Sequence, residues 1–310
     1  MEVENLLKYI ERITLKLQDI EKNNQETSIE TINWIDEITD PLYKLLDDII
    51  SLLSDPITSQ TTRKELYHLL KKFLEIPCND KIKAQLLQNP KCLHTITFYI
   101  SLCDSENKEI EFAVEVFYVF IYLFSFNDFM PLIDEDCMNG LFEGLSFISE
   151  EKLLLSFINI LIDINCEYSS ESENLFLKVY HYHENARLID ETILRILNSE
   201  DVEDNVVINV LYTVNSIMLQ EKRNVFYSTD LETFIDIAFI FLNSKEDVAI
   251  KLFTLQALSQ ITSFDDYYRN SYKMDELNEL MELCVDNEDL EEVLRNFAQT
   301  ILDNLQNQQY

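Results

Sequence analysis

Apolar residues recur at helical spacing from one end of the chain to the other, interrupted every 15 to 20 residues by a short polar connector. Leu154, Phe157, Ile158 and Leu161 follow the i, i+3, i+4, i+7 pattern, as do Leu231, Phe234, Ile235 and Ala238. Met274, Leu277, Met281 and Cys284 keep a 3, 4, 3 spacing. The pattern predicts helices near 3–20 and 28–53, the second broken at Asp40-Pro41. Further helices are expected near 58–75, 79–88, 91–103, 106–126, 134–148, 150–165, 170–183, 185–198, 204–220, 229–243, 246–262, 273–285 and 288–305. Ser170, Thr229 and Ser244 each precede an acid by three residues and are expected to cap the helices that follow. Thr229 or Asp230 is the expected N-cap of the helix beginning near Leu231. The run Phe234–Leu242 carries Asp236 as its single charge, which predicts an inner helix covered on several sides.

So many helices with short connectors and no sustained heptad exceed one simple bundle. Pairs or triples at a period of about 40–47 residues fit an armadillo or HEAT-like α-solenoid. The expected fold is therefore all-α, a single elongated domain of stacked helices spanning 28–310. Residues 1–27 add an N-terminal helix and polar connector.

Glycine usage removes most alternatives. The chain has 2 glycines, Gly140 and Gly144. Phosphate-binding loops, dinucleotide fingerprints and nucleophile elbows need glycines at fixed offsets, so none can be written here. Asp-Gly is absent and Asn139-Gly140 is the single Asn-Gly, too little turn punctuation for a hairpin-rich β fold. Against 57 acidic residues stand 24 basic ones, a net charge of −33. That balance disfavours nucleic acid and anionic membrane surfaces and suits a partner with a basic face. Many of the acids fall in connectors and first turns, where they complement helix dipoles. The longest apolar stretch, Phe112–Phe126, is interrupted by Glu115 and is shorter than the ~20 residues that span a bilayer. The N-terminal residues read as acidic and polar rather than as a secretory leader, and the six cysteines have no disulfide-like spacing; a cytoplasmic location is expected.

Candidate chemistry is sparse. His181-Tyr-His183 looks metal-like, but residues two apart on a helix point about 200° away from each other and cannot share an ion as an i, i+4 pair does. Cys92-Leu-His94 with Cys103 reads as apolar helix face. The aromatic run Phe112–Phe129 reads first as a central core helix and second as a docking surface. No catalytic, cofactor or metal site is expected, and the chain is read as a non-enzyme.

The segment Asn224-Val-Phe-Tyr-Ser-Thr-Asp-Leu-Glu-Thr-Phe-Ile-Asp-Ile237 resembles a stretch of the leucine-rich armadillo domain in the WISH/DIP/SPIN family, with Phe-Tyr, an Asp, then Leu-Ile-Asp-Ile. In the same order, Glu184–Asn198 resembles the family's preceding helix and Tyr268–Leu277 its later tyrosine-rich element. The likeness covers roughly 175–290. It departs from the family where an acidic turn reads Glu203-Asp204-Asn205 and where a Lys-Arg pair reads Lys273-Met274. The resemblance implies an activator of the actin-related-protein 2/3 complex. Such a protein binds the complex through its armadillo domain and starts unbranched actin filaments without a preformed one. Phe226, Ile235 and Ile237 of the segment read as buried. The candidate partner contacts in and near these segments are Lys222, Arg223, Tyr227, Asp230, Arg269, Tyr272 and Lys273. An alternative reading is an armadillo-type adaptor whose acidic groove receives a basic helix or tail.

Overall fold

The computed structural model describes residues 44–45, 47–53, 55, 58–74, 117, 130–148, 150–168, 170, 173–199, 202–221, 225–226 and 228–307. Among them every regular element is helical and no strand occurs. The chain divides into two compact units, Met1–Phe157 and Ile158–Tyr310. The expected helices before residue 44, those near 79–88 and 91–103, that near 106–126 apart from Phe117, and the 27/28 boundary lie outside the described residues.

In the first unit, residues 44–45 and 47–53 are helical, followed by α1 (Gln60–Leu74) and α2 (Glu135–Leu145). Ile49, Ile50, Leu53, Leu66, Tyr67, Leu69 and Leu70 are buried. Asp134 caps α2 through its side chain, which accepts from Cys137 N at 2.9 Å. Of the aromatic run, Phe117 is described: it is fully buried and meets Phe157 edge to face at 6.2 Å, as a core residue does.

Helix α3 (Glu151–Glu167) leads into the second unit. There follow α4 (Leu175–Tyr182), α5 (Ala186–Leu197), α6 (Asp204–Glu221), α7 (Ser228–Ser244), α8 (Val248–Ile261), α9 (Asp265–Asn270), α10 (Met274–Asp286) and α11 (Glu292–Asn307). Each packs mainly on helices one to three places along: α4 on α5 and α6, α5 on α6 and α7, α6 on α8, α7 on α8 and α9, α8 on α11, α10 on α11. Neighbour-only packing of this kind is the stacking of an α-solenoid. The stripes read from sequence supply the buried faces: Ile158, Leu161, Leu231, Phe234, Ile235, Ala238, Leu277 and Met281 are all buried.

Buried amides stitch successive layers. Asn165 of α3 donates from Nδ2 to Thr213 Oγ1 of α6 at 3.0 Å. Its own Oδ1 accepts from Asn174 Nδ2 at 2.8 Å, and Asn174 Oδ1 caps α4 at Leu177 N. Asn215 donates to Phe253 O (2.9 Å) and accepts from Gln260 Nε2 (2.9 Å), joining α6 to α8. Asn304 of α11 donates to Ser259 O at 3.1 Å, while Tyr268 OH of α9 donates to Thr262 O at 2.6 Å. A polar group removed from water must be paired, and these pairs join different helices.

Three expected caps move. Asn174, not Ser170, caps α4, and Asp247, not Ser244, caps α8, accepting from Ala249 N at 2.7 Å. Ser244 instead ends α7 and donates back to Ile240 O. Helix α7 starts at Ser228, so Thr229 and Asp230 lie inside its first turn rather than at its N-cap. The His181–His183 pair is also corrected: α4 ends at Tyr182, and His183 is the extended C-cap residue, its Nδ1 accepting from Asn185 N at 3.2 Å.

Candidate functional site

Helix α7 is apolar on most sides, and that sets how it can be used. Phe234, Ile235, Ile237, Ala238 and Phe241 are buried, and Phe226 stacks on Phe234 at 4.7 Å. The expected burial of Phe226, Ile235 and Ile237 holds. The helix is covered on several sides, as expected, and one face stays open, where Ile240 is 57% exposed. Asp236 is four residues earlier, so the two share one outer face.

Residues of the α9–α10 turn reach that face. Ser271 and Lys273 have φ of 52° and 50°, the non-glycine residues with positive φ among those described. Left-handed backbone costs a side-chain-bearing residue about 1 kcal/mol or more. The pair forms the turn between α9 and α10. Ser271 ends α9, its N–H bonding to Tyr267 O at 2.9 Å, and Lys273 opens α10, its carbonyl accepting from Leu277 N at 2.8 Å. Buried Tyr267 supports the turn from below by donating to Tyr272 O at 3.3 Å.

The turn places Tyr272 and Lys273 over Asp236. Lys273 Nζ bonds Asp236 Oδ1 at 2.7 Å, and Tyr272 OH donates to both carboxylate oxygens at 3.2 Å. The ammonium also sits 5.6 Å from the Phe239 ring centre and 5.5 Å from that of Tyr272. Its hydrogen bond to Asp236 raises the Lys273 pKa against a desolvation effect of opposite sign. The Tyr272 hydroxyl is raised as well, by desolvation first and then by Asp236. Both groups therefore keep their protons at neutral pH. The Lys273 and Asp236 side chains remain 36% and 46% exposed, so the cluster belongs to the surface.

Asp230 lies on another side of α7. With Thr229 and Thr233 it faces Arg187, Glu191 and Arg195 of α5 across an open groove of about 450 Å³. Arg187 and Glu191 pair along α5 at 3.0 Å.

Of the candidate partner contacts, Tyr272 and Lys273 are brought together, Asp230 is in the α5–α7 groove, and Arg269 is exposed on α9. Lys222, Arg223 and Tyr227 lie outside the described residues. Asp236 is the residue that sequence reading passes over as a contact; its signal is being the single charge of the apolar run Phe234–Leu242. Among the described residues no three of His, Cys, Asp and Glu are grouped to hold a metal ion, and no helix is long and apolar enough to cross a membrane. The Cys166 thiol is pushed up to about 12 by burial, which makes it a poor nucleophile.

No protein-family model matches the chain, and no curated protein does. Two engineered proteins solved by the Northeast Structural Genomics Consortium are similar to it, each with a TM-score of 0.41. They are 13% and 15% identical, over 84% of this chain and 97% and 98% of theirs. A designed armadillo repeat protein is similar with a TM-score of 0.42 and 14% identity, over 83% of this chain and 98% of its own.

Proposed function

We propose that this chain is a non-catalytic binding protein that activates the actin-related-protein 2/3 complex, starting unbranched actin filaments without a preformed filament. The family resemblance of its sequence motivates the reading. The observation that carries it is the meeting of the three resembling segments around α7. The first, on α5, lines the groove opposite Asp230 of the second; the third, in the α9–α10 turn, closes on Asp236 of the second. Segments up to about 90 residues apart thus contribute to one neighbourhood of the second unit, mixing charged groups, exposed Ile240 and the Tyr272 ring, a composition suited to protein contact.

Activation needs no chemistry from the chain. A protein that binds the active arrangement of its target more tightly than the inactive one shifts the balance, and about 5.5 kcal/mol of differential affinity takes it from 1:99 to 99:1. The test is pyrene-actin polymerisation with purified complex and no seed filaments. Wild type should shorten the lag in proportion to its concentration, and Lys273→Asp should lose that effect. A lag unchanged across the titration with folded wild-type protein overturns the proposal.

A further inference from the structure

A second surface of the same unit has a different chemistry. The end of α7, one wall of α8, α10 and the start of α11 enclose a cleft of about 210 Å³, lined chiefly by Leu242, Leu255, Leu280, Leu283, Leu290 and Leu294. That is below the roughly 300–1,000 Å³ of small-molecule pockets. Leu283 is 69% exposed at its mouth. A lone exposed leucine needs no explanation, but this one continues a concave wall of leucines into solvent.

The charge around the cleft has one sign. From Met274 to Leu294 the chain carries nine carboxylates and neither lysine nor arginine. Glu279 and Asp286 stand four before and three after Leu283, on its side of α10. Both are exposed, as are Glu288, Asp289 and Glu291 in the following turn. The cation among the lining residues is Lys251, on the α8 wall beside Cys284. Phosphates, nucleic acid and anionic lipid are repelled by such a rim. A basic amphipathic helix fits both features, its apolar residues entering the cleft and its flanking cations meeting the carboxylates.

We infer that the α7–α8–α10–α11 cleft is a docking site for a lysine- or arginine-rich amphipathic helix of a partner protein. The site shares no residue with the Asp236 cluster and stands whether or not the chain acts on actin. The probe is a fluorescent 14-residue peptide of leucine and lysine with leucines at helical spacing, titrated with the full chain and followed by anisotropy. Two control peptides replace every lysine with glutamate or every leucine with serine. Leu283→Asn removes the exposed apolar contact and Glu279→Lys/Asp286→Lys inverts the rim; all three positions are exposed, so the fold is expected to persist, and circular dichroism checks it. Wild type should bind the leucine–lysine peptide and neither control, and each variant should bind it about tenfold more weakly, the scale of one leucine leaving an apolar contact. Binding should also fall with rising salt. Equal binding of the serine control, which would show charge alone at work, overturns the inference, as does unchanged affinity in both folded variants.

Discussion

The seam between α3 and α6 and the junction between α7 and the α9–α10 turn are both closed by polar side chains, and they are built in opposite ways. At the seam, Asn165 is wholly buried, and its amide gives one bond to Thr213 and takes one from Asn174. Neutral, paired groups in a buried layer fix which helices meet and contribute to stability through the cost of leaving any of them unpaired. At the junction, Asp236 and Lys273 stay part-exposed, and the geometry is set by two residues in left-handed backbone. Exposed ion pairs add little to stability, so ending α9 and opening α10 accounts for the left-handed backbone but leaves the placement of Tyr272 and Lys273 over Asp236 poorly explained by folding. The difference separates a region that holds the stack together from one that keeps charged and aromatic side chains at the surface, where the proposed partner would meet them.

The largest stability effect is therefore expected at the seam. Asn165→Ala removes the partner of two buried groups at once and should cost about 2–3 kcal/mol, read by urea denaturation. Thr213→Val keeps the shape and leaves the Asn165 Nδ2 with one acceptor fewer; about 1–2 kcal/mol is expected in the same measurement. If either variant unfolds at the wild-type midpoint, the amide network is ornament and the contrast with the junction fails on its first side.

Much of this architecture is legible in sequence, and the seam residues show where legibility stops. The apolar stripes of α3, α7 and α10 locate those helices because burial demands helical spacing. Helix α9, Asp265–Asn270, is too short to display a period and was not foreseen. Ser170 and Ser244 have the hydroxyl-then-acid spacing of a cap, but in a chain with 57 acidic residues that spacing arises often without a helix start behind it. The true caps, Asn174 and Asp247, have competent side chains nearer the first apolar residue. The Asp236 cluster was half visible: Tyr272 and Lys273 were singled out, their acceptor was not. Its formation needs Lys273 in left-handed backbone, and a lysine gives no sign of that where a glycine would.

The junction is probed first through its backbone. Ser271→Gly removes the steric cost of φ 52° while losing the Ser271 Oγ bond to Tyr268 O and adding unfolded-chain entropy. A net gain of about 0.5 kcal/mol is expected, visible as a small rise in melting temperature. A fall of similar size in this variant would mean that the turn is not strained, and that its shape has a purely local cause.

The smallest stability effect, and the one that decides the comparison, is expected for Asp236→Asn. Asparagine keeps an oxygen for the Tyr272 hydroxyl and Lys273 ammonium at the same place and removes the charge that orients them. Because the pair is part-exposed, water replaces most of what is lost, and thermal unfolding should coincide with that of wild type. Any contact that relies on the fixed positions of Tyr272 and Lys273 has no such replacement, so the same variant should lengthen the lag in the seed-free polymerisation assay toward that of the complex alone. A melting temperature lowered as far as that of Asn165→Ala would make the junction a second structural seam, and the placement of Tyr272 and Lys273 over Asp236 would then need no partner to account for it.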